Sequence, residues 1–144
     1  QVALLKVVGA GRPHEFYNWA AMSFVPASWD QPMLTGEYNA QGVTRILDVI
    51  RRLDTSIRFY QASSSEMFGD AFTEQVGDKF QDENTLFRPQ SPYAIAKLAA
   101  HHATRLYRNS YSLHASCGIL FNHESERRGG RFVTKKISRG PKCY

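Results

Sequence analysis

Ala62-Ser63-Ser64-Ser65-Glu66-Met67-Phe68-Gly69 and, after a polar stretch, Ser91-Pro92-Tyr93-Ala94-Ile95-Ala96-Lys97 decide how the rest of this chain is read. The apolar run Ile57-Arg58-Phe59-Tyr60-Gln61 predicts a strand that delivers Ser63 to Glu66 at its carboxyl end, where a parallel sheet places its chemistry. Ser91 predicts an N-cap and Pro92 the first residue of a helix that runs to about Asn109. Tyr93 and Lys97 then fall one turn apart on the same face. Ile95, Leu98, Ala99, Ala103 and Leu106 form an apolar stripe on roughly the opposite face, which predicts that the helix packs through the stripe and aims Tyr93 and Lys97 at a cleft. An ammonium beside a phenol favours the phenolate, so a Tyr that ordinarily titrates near pH ~10 is prepared to act as a base nearer neutrality.

Working outward, His114 to Leu120 predicts a further buried strand whose exit carries Phe121-Asn122-His123-Glu124-Ser125. Upstream, Val43, Ile46, Leu47, Ile50 and Leu53 recur at helical spacing, so a helix is expected from soon after Pro32 to about Leu53. Within it, Gly42 is expected to permit close packing on the sheet and Asn39 to bond to a neighbouring strand. Glu15 to Asn18 reads as a short buried strand, and Trp19-Ala20-Ala21-Met22-Ser23 as its exit, where small residues permit close approach of a cofactor. Val7-Val8-Gly9-Ala10-Gly11 invites comparison with a dinucleotide fingerprint, but His14 stands where the third glycine belongs and Pro13 where a helix should start. The reading adopted is a helix that ends at Gly9 to Gly11 and turns through Pro13 into the next strand. Asp70 to Pro89, rich in Asp, Glu, Gln and Gly, reads as a surface loop beside Glu66.

Composition narrows the function classes. The 144 residues are one domain's worth, 42% hydrophobic, and hold neither a run of 18 apolar residues nor a basic start followed by an apolar block. A soluble, cytoplasmic protein with no membrane partner is expected. Cys117 and Cys143 make no disulfide framework and match no zinc spacing; both are expected to be free thiols, and no metal site is expected. The formal charge of +5 is concentrated near the end, in Arg127, Arg128, Arg131, Lys135, Lys136, Arg139 and Lys142. Only Phe132 interleaves this run, and no nucleic-acid-binding motif accompanies it, so nucleic acid is not the expected partner; the phosphates of a dinucleotide or nucleotide sugar would satisfy the same charge, and an ordinary solvated basic face stays open.

A Tyr four residues before a Lys is by itself a common helical coincidence. Taken with Tyr17-Asn18-Trp19-Ala20-Ala21, Phe59-Tyr60-Gln61-Ala62-Ser63, Ser64-Ser65-Glu66 and Gly118-Ile119-Leu120-Phe121-Asn122-His123-Glu124-Ser125, it makes the chain resemble the extended short-chain dehydrogenase/reductases. The similarity is strongest to the GDP-mannose 4,6-dehydratases and runs from about Glu15 to Ile137. It implies an α/β, Rossmann-like doubly wound parallel sheet, read as one partial NAD(P)-binding domain lacking the first βαβ unit and the C-terminal substrate-binding segments.

The resemblance also implies the site. Ser64, Glu66, Tyr93 and Lys97 would be catalytic. Ala20, Ala21, Ser23, His123 and Arg128, with Tyr93 and Lys97, would contact NADP, with NAD the less favoured form. Ser64 and Asn122 would hold GDP-mannose or a related nucleotide sugar. A homo-oligomer is expected of the complete enzyme. Trp19 stands where the family has a smaller aliphatic residue. Two alternatives stay open: a nucleotide-sugar 4-epimerase, which needs Tyr93 and Lys97 but has no use for Glu66 as a C5 base, and a non-catalytic remnant acting as a binding module.

Overall fold

A computed structural model describes residues 2–140, so Cys143 and Lys142 lie outside the described residues. Three parallel strands, β1 (Glu15–Asn18), β2 (Arg58–Ser64) and β5 (Ala115–Leu120), form a sheet in the order β1-β2-β5. Parallel neighbours need long crossovers, and here each crossover is helical. The first runs through α2 (Val25–Asp30), α3 (Pro32–Gly36), a π-helical turn (Glu37–Gln41) and α4 (Gly42–Leu53); the second ends in α5 (Pro92–Tyr111). α1 (Val2–Gly11) packs on α4, and a short α6 (Val133–Ser138) closes the described chain.

The core lies between the sheet and the two long crossover helices. Val43, Leu47, Val49 and Ile50 of α4 meet Ile57, Phe59, Ala100, Leu113 and Ala115, all buried. α1 ends as expected, at Gly11, with the Arg12 amide donating to the Val8 carbonyl before the chain turns into β1, so the early glycines belong to a helix end.

The expected helix after Pro32 is present but not regular. The π turn at Glu37–Gln41 inserts an extra residue, a local widening that re-aims side chains. It turns Asn39 onto the loop after β1, where its Oδ1 accepts from the Met22 amide at 2.9 Å and its Nδ2 donates to the Met22 carbonyl at 3.1 Å. The partner is therefore the strand exit, not a strand. Gly42 does not touch the sheet either: a Cβ there would meet only the Glu37 carbonyl, at an ordinary 3.6 Å.

Two further expectations are corrected. β1 is an edge strand, so Glu15 and Tyr17 are exposed and only Asn18 is fully buried. α5 turns over relative to the expected orientation. It buries Ala94, Ala96, Ala100 and Thr104 together with Tyr93 and Lys97, while Ile95 and Leu106 are 58% and 60% exposed. Small side chains let this helix lie close on β2 and β5, and the larger apolar residues are left outside. The polar stretch after Gly69 also contains structure, a hairpin of β3 (Thr73–Gln75) and β4 (Asp78–Phe80).

Candidate active site

The site is built where β2 ends. Ser63 and Ser64 are the last residues of the strand, which runs three residues past the apolar run, and Ser65–Met67 form a single 3-10 turn. Ser64 caps that turn, its Oγ accepting from the Glu66 amide at 3.3 Å. Across from it, Ser91 caps α5, accepting from the Ala94 amide at 3.0 Å, with Pro92 in the first turn as the sequence predicts. The two caps fix Glu66 and Tyr93 on facing elements.

A cavity of about 310 Å³ opens between them. It is lined by Ser64, Glu66, Tyr93 and Lys97, by Ala21 and Ser23 from the exit of β1, and by Asn122, His123 and Arg128 from the exit of β5. Every predicted site residue except Ala20 is thus brought to one cavity. Ala20 is exposed outside it. Phe24 and Phe132 were not anticipated; their rings meet edge-on at 5.8 Å and form one wall. Their only sequence signal is an aromatic next to Ser23 and one beside the basic run.

Electrostatics differ from the expectation drawn from spacing. Tyr93 is 7% exposed, and burial raises its pKa above the ordinary tyrosine range. A hydrogen bond from Ser64 opposes that rise, the Glu66 carboxylate adds to it, and the Arg128 guanidinium opposes it more weakly. Lys97 is 4% exposed, and burial depresses its pKa from 10.5 to about 8. Its Nζ donates to the Ala62 carbonyl at 2.9 Å and lies 5.8 Å from the centre of the Tyr93 ring.

At the far wall, the Arg128 guanidinium sits 3.5 Å from the centre of the Phe132 ring. Its Nε is 3.3 Å from Glu124 Oε2 without the alignment of a hydrogen bond. His123 Nδ1 is 2.9 Å from the Phe121 carbonyl. Trp19 lines the cavity at its open side, more than half exposed, with its ring 5.4 Å from that of Tyr60.

Among the described residues no three His, Cys, Asp or Glu side chains gather as metal ligands, and no helix is long and apolar enough to cross a membrane. Cys117 is a free thiol whose pKa burial raises.

A family model for GDP-mannose 4,6 dehydratase matches residues 1–142. The chain belongs to that family. Among its relatives, the GDP-mannose 4,6 dehydratase of Drosophila melanogaster is 46% identical over 95% of this chain and 34% of its own length. The GDP-mannose 4,6-dehydratase of Sinorhizobium fredii is 49% identical over 94% of this chain and 38% of its own. The chain therefore spans little more than a third of the curated family members it matches.

Solved structures agree on the fold. RMD from Pseudomonas aeruginosa complexed with NADPH superposes with a TM-score of 0.79 at 23% identity, covering 88% of this chain and 42% of that one. DesIV, a dTDP-glucose 4,6-dehydratase from Streptomyces venezuelae with NAD and TYD bound, gives 0.77 at 19% identity, covering 94% and 41%. Both are Rossmann-type α/β proteins, as the parallel sheet and helical crossovers of this family member are.

Proposed function

We propose that this chain is the catalytic portion of a nicotinamide-binding domain in a cytoplasmic lyase. The reaction converts GDP-mannose to its 4-keto-6-deoxy form with NADP. The observation that carries the reading is the convergence of Ser64, Glu66, Tyr93 and Lys97, from two separate elements, on one cavity. The residues suit a dinucleotide's nicotinamide end. Ala21 and Ser23 leave room at the exit of β1, and the Lys97 ammonium beside Tyr93 offers donors for ribose hydroxyls. NADP, not NAD, follows from the family resemblance alone.

A bound nicotinamide supplies a hydride acceptor for C4 and a donor that returns the same hydride to C6. The chain's own residues handle protons and position. Tyr93 takes the proton of the sugar 4-hydroxyl, with Ser64 stabilising the phenolate by hydrogen bonding and fixing the hydroxyl. Ketone formation at C4 acidifies the C5 proton, which Glu66, exposed at the lip of the cavity, removes. Glu66 passes the proton it has taken to the departing 6-hydroxyl, which leaves as water; a solvent proton at C5 then accompanies the hydride at C6, and no net redox change remains. Lys97 is mostly protonated at neutral pH despite its depressed pKa of about 8, so it supplies positive charge where the phenolate forms. Asn122 orients the sugar.

The test is incubation of a full-length protein carrying this segment with GDP-mannose in deuterated water. Elimination across C5 and C6 requires solvent deuterium at C5 of the 4-keto-6-deoxy product. A 4-epimerised product with no deuterium at C5 assigns the epimerase reaction instead.

A further inference from the structure

Beyond the residues that line the cavity, one buried polar chain runs underneath it. Arg58 donates its amide to the His14 carbonyl and Phe59 to the His114 carbonyl, so even-numbered residues of β2 bond toward β1 and odd-numbered ones toward β5. β1 ends at Asn18, paired with Gln61. The next carbonyl on that side, Ala62, falls past the end of the ladder, where β1 has already left as the Trp19–Ser23 loop. A buried carbonyl must still be satisfied. Two side chains do so: Lys97 Nζ at 2.9 Å and Gln61 Nε2 at 3.0 Å. Gln61 Oε1 in turn accepts from Asn18 Nδ2 at 2.8 Å. Gln61 is 1% exposed and Asn18 5%.

An amide buried on the same strand face as Phe59 is costly unless every group is paired, and here each end of Gln61 has its partner. We propose that Gln61 is a positioning residue for Lys97: tied to Asn18, it fixes the Ala62 carbonyl that anchors the ammonium beside Tyr93. This rests on the reading of Tyr93 and Lys97 given above. With the tie removed, Ala62 loses one of its two donors and Asn18 an acceptor, and Lys97 is free to withdraw from Tyr93. The phenolate then loses part of its positive neighbour. The other charged groups that act on Tyr93 are Glu66 on the 3-10 turn and Arg128 beyond β5.

The experiment uses a full-length protein carrying this segment, with Gln61→Met, an apolar near-isostere, and Gln61→Leu, a smaller apolar replacement; neither can donate to Ala62 and neither adds charge beside Tyr93. Tyr93→Phe is the control. In both Gln61 variants kcat falls about tenfold, KM for GDP-mannose stays within about twofold, and the acid limb of kcat against pH moves up by about half a unit or more. A variant that lowers thermal stability and kcat while leaving the acid limb in place overturns the proposal and makes Gln61 merely structural. If Gln61→Met does not fold, the acid limb of Gln61→Leu decides. If Tyr93→Phe keeps full turnover, the catalytic reading itself fails and the inference falls with it; if only the Gln61 variants are silent, the catalytic reading stands.

Discussion

Lys97 Nζ lies 5.8 Å from the centre of the Tyr93 ring and is anchored 2.9 Å from the Ala62 carbonyl, so the charge proposed to assist Tyr93 is held by backbone and not by a carboxylate. A carboxylate there would neutralise the ammonium; a carbonyl fixes it and leaves its charge available. Burial makes the arrangement costly, since it raises the pKa of Tyr93 and lowers that of Lys97. Both groups are thereby moved away from the phenolate and ammonium pair that the proposed chemistry uses.

Tyr93→Phe in a full-length protein removes the proton acceptor and leaves the ring's packing intact. Turnover is expected to fall on the order of 10²- to 10⁴-fold while nucleotide-sugar affinity changes little. Turnover within about threefold of the parent refutes the role.

Lys97→Met tests the cost of the buried cation. Lys97 titrates at about 8 in the folded protein against an ordinary 10.5. Between those values the unfolded chain holds a proton that the folded chain has released, so stability contributed at this site rises with pH across that window. Below it the buried ammonium is a standing penalty. Met fills similar volume without charge, and Gln61 still satisfies the Ala62 carbonyl. The variant is expected to be more stable than the parent at pH ~7 by on the order of 1–3 kcal/mol, with the advantage narrowing toward pH ~10, and nearly inactive. Urea unfolding at the two pH values checks this; a variant less stable at neutral pH contradicts it.

In α5 the start is set by local residues and the buried face by the sheet beneath it. Its start was legible because Ser91 and Pro92 act locally, through a cap and a fixed φ. Its buried face was not, because periodicity reports where large apolar residues sit, whereas a helix lying close on a sheet selects small ones, here Ala94, Ala96 and Ala100. That Ser64, Glu66, Tyr93, Lys97, Asn122 and Arg128 share one cavity was legible only through whole motifs, since no spacing rule joins Asn122 and Arg128 to Tyr93 across the chain. The β3–β4 hairpin was hidden for a different reason. Its two turn residues, Val76 and Gly77, have φ of 53° and 87°, and a β-branched residue is a poor signal for a turn that requires positive φ. The π turn and its hold on Met22 leave no periodic trace either.

Gly69 closes the turn that carries Glu66, and its amide donates to the Glu66 carbonyl at 3.2 Å. Its φ of 57° disfavours any side chain, and a Cβ would run into the Arg88 carbonyl and come within 2.8 Å of Gln90 Cγ. Gly69→Ala is therefore expected to cost about 2 kcal/mol or more, lowering the melting temperature by several degrees. Because the displaced Arg88–Gln90 segment leads directly into the Ser91 cap, turnover should fall as well. An unchanged melting temperature in a scanning calorimeter would show that the turn relaxes freely.

Glu66→Gln separates the two halves of the proposed reaction. Glu66 is exposed on the 3-10 turn, and its charge acts on Tyr93 by raising its pKa. Replacing it with a neutral isostere removes the base proposed for C5 and also relieves that rise, so proton removal from the 4-hydroxyl should be no worse and could improve. Oxidation at C4 then proceeds while elimination stalls, and reduced cofactor accumulates. A single-turnover experiment on a full-length protein, following nicotinamide absorbance in the near ultraviolet, should show a transient in the variant larger than in the parent, with steady-state turnover down on the order of 10²-fold or more. The acid limb of C4 oxidation should also move to lower pH, since a negative neighbour of the phenol has been removed. Equal loss of oxidation and elimination, with no transient, would make Glu66 a group that positions the sugar and not the base that takes the C5 proton.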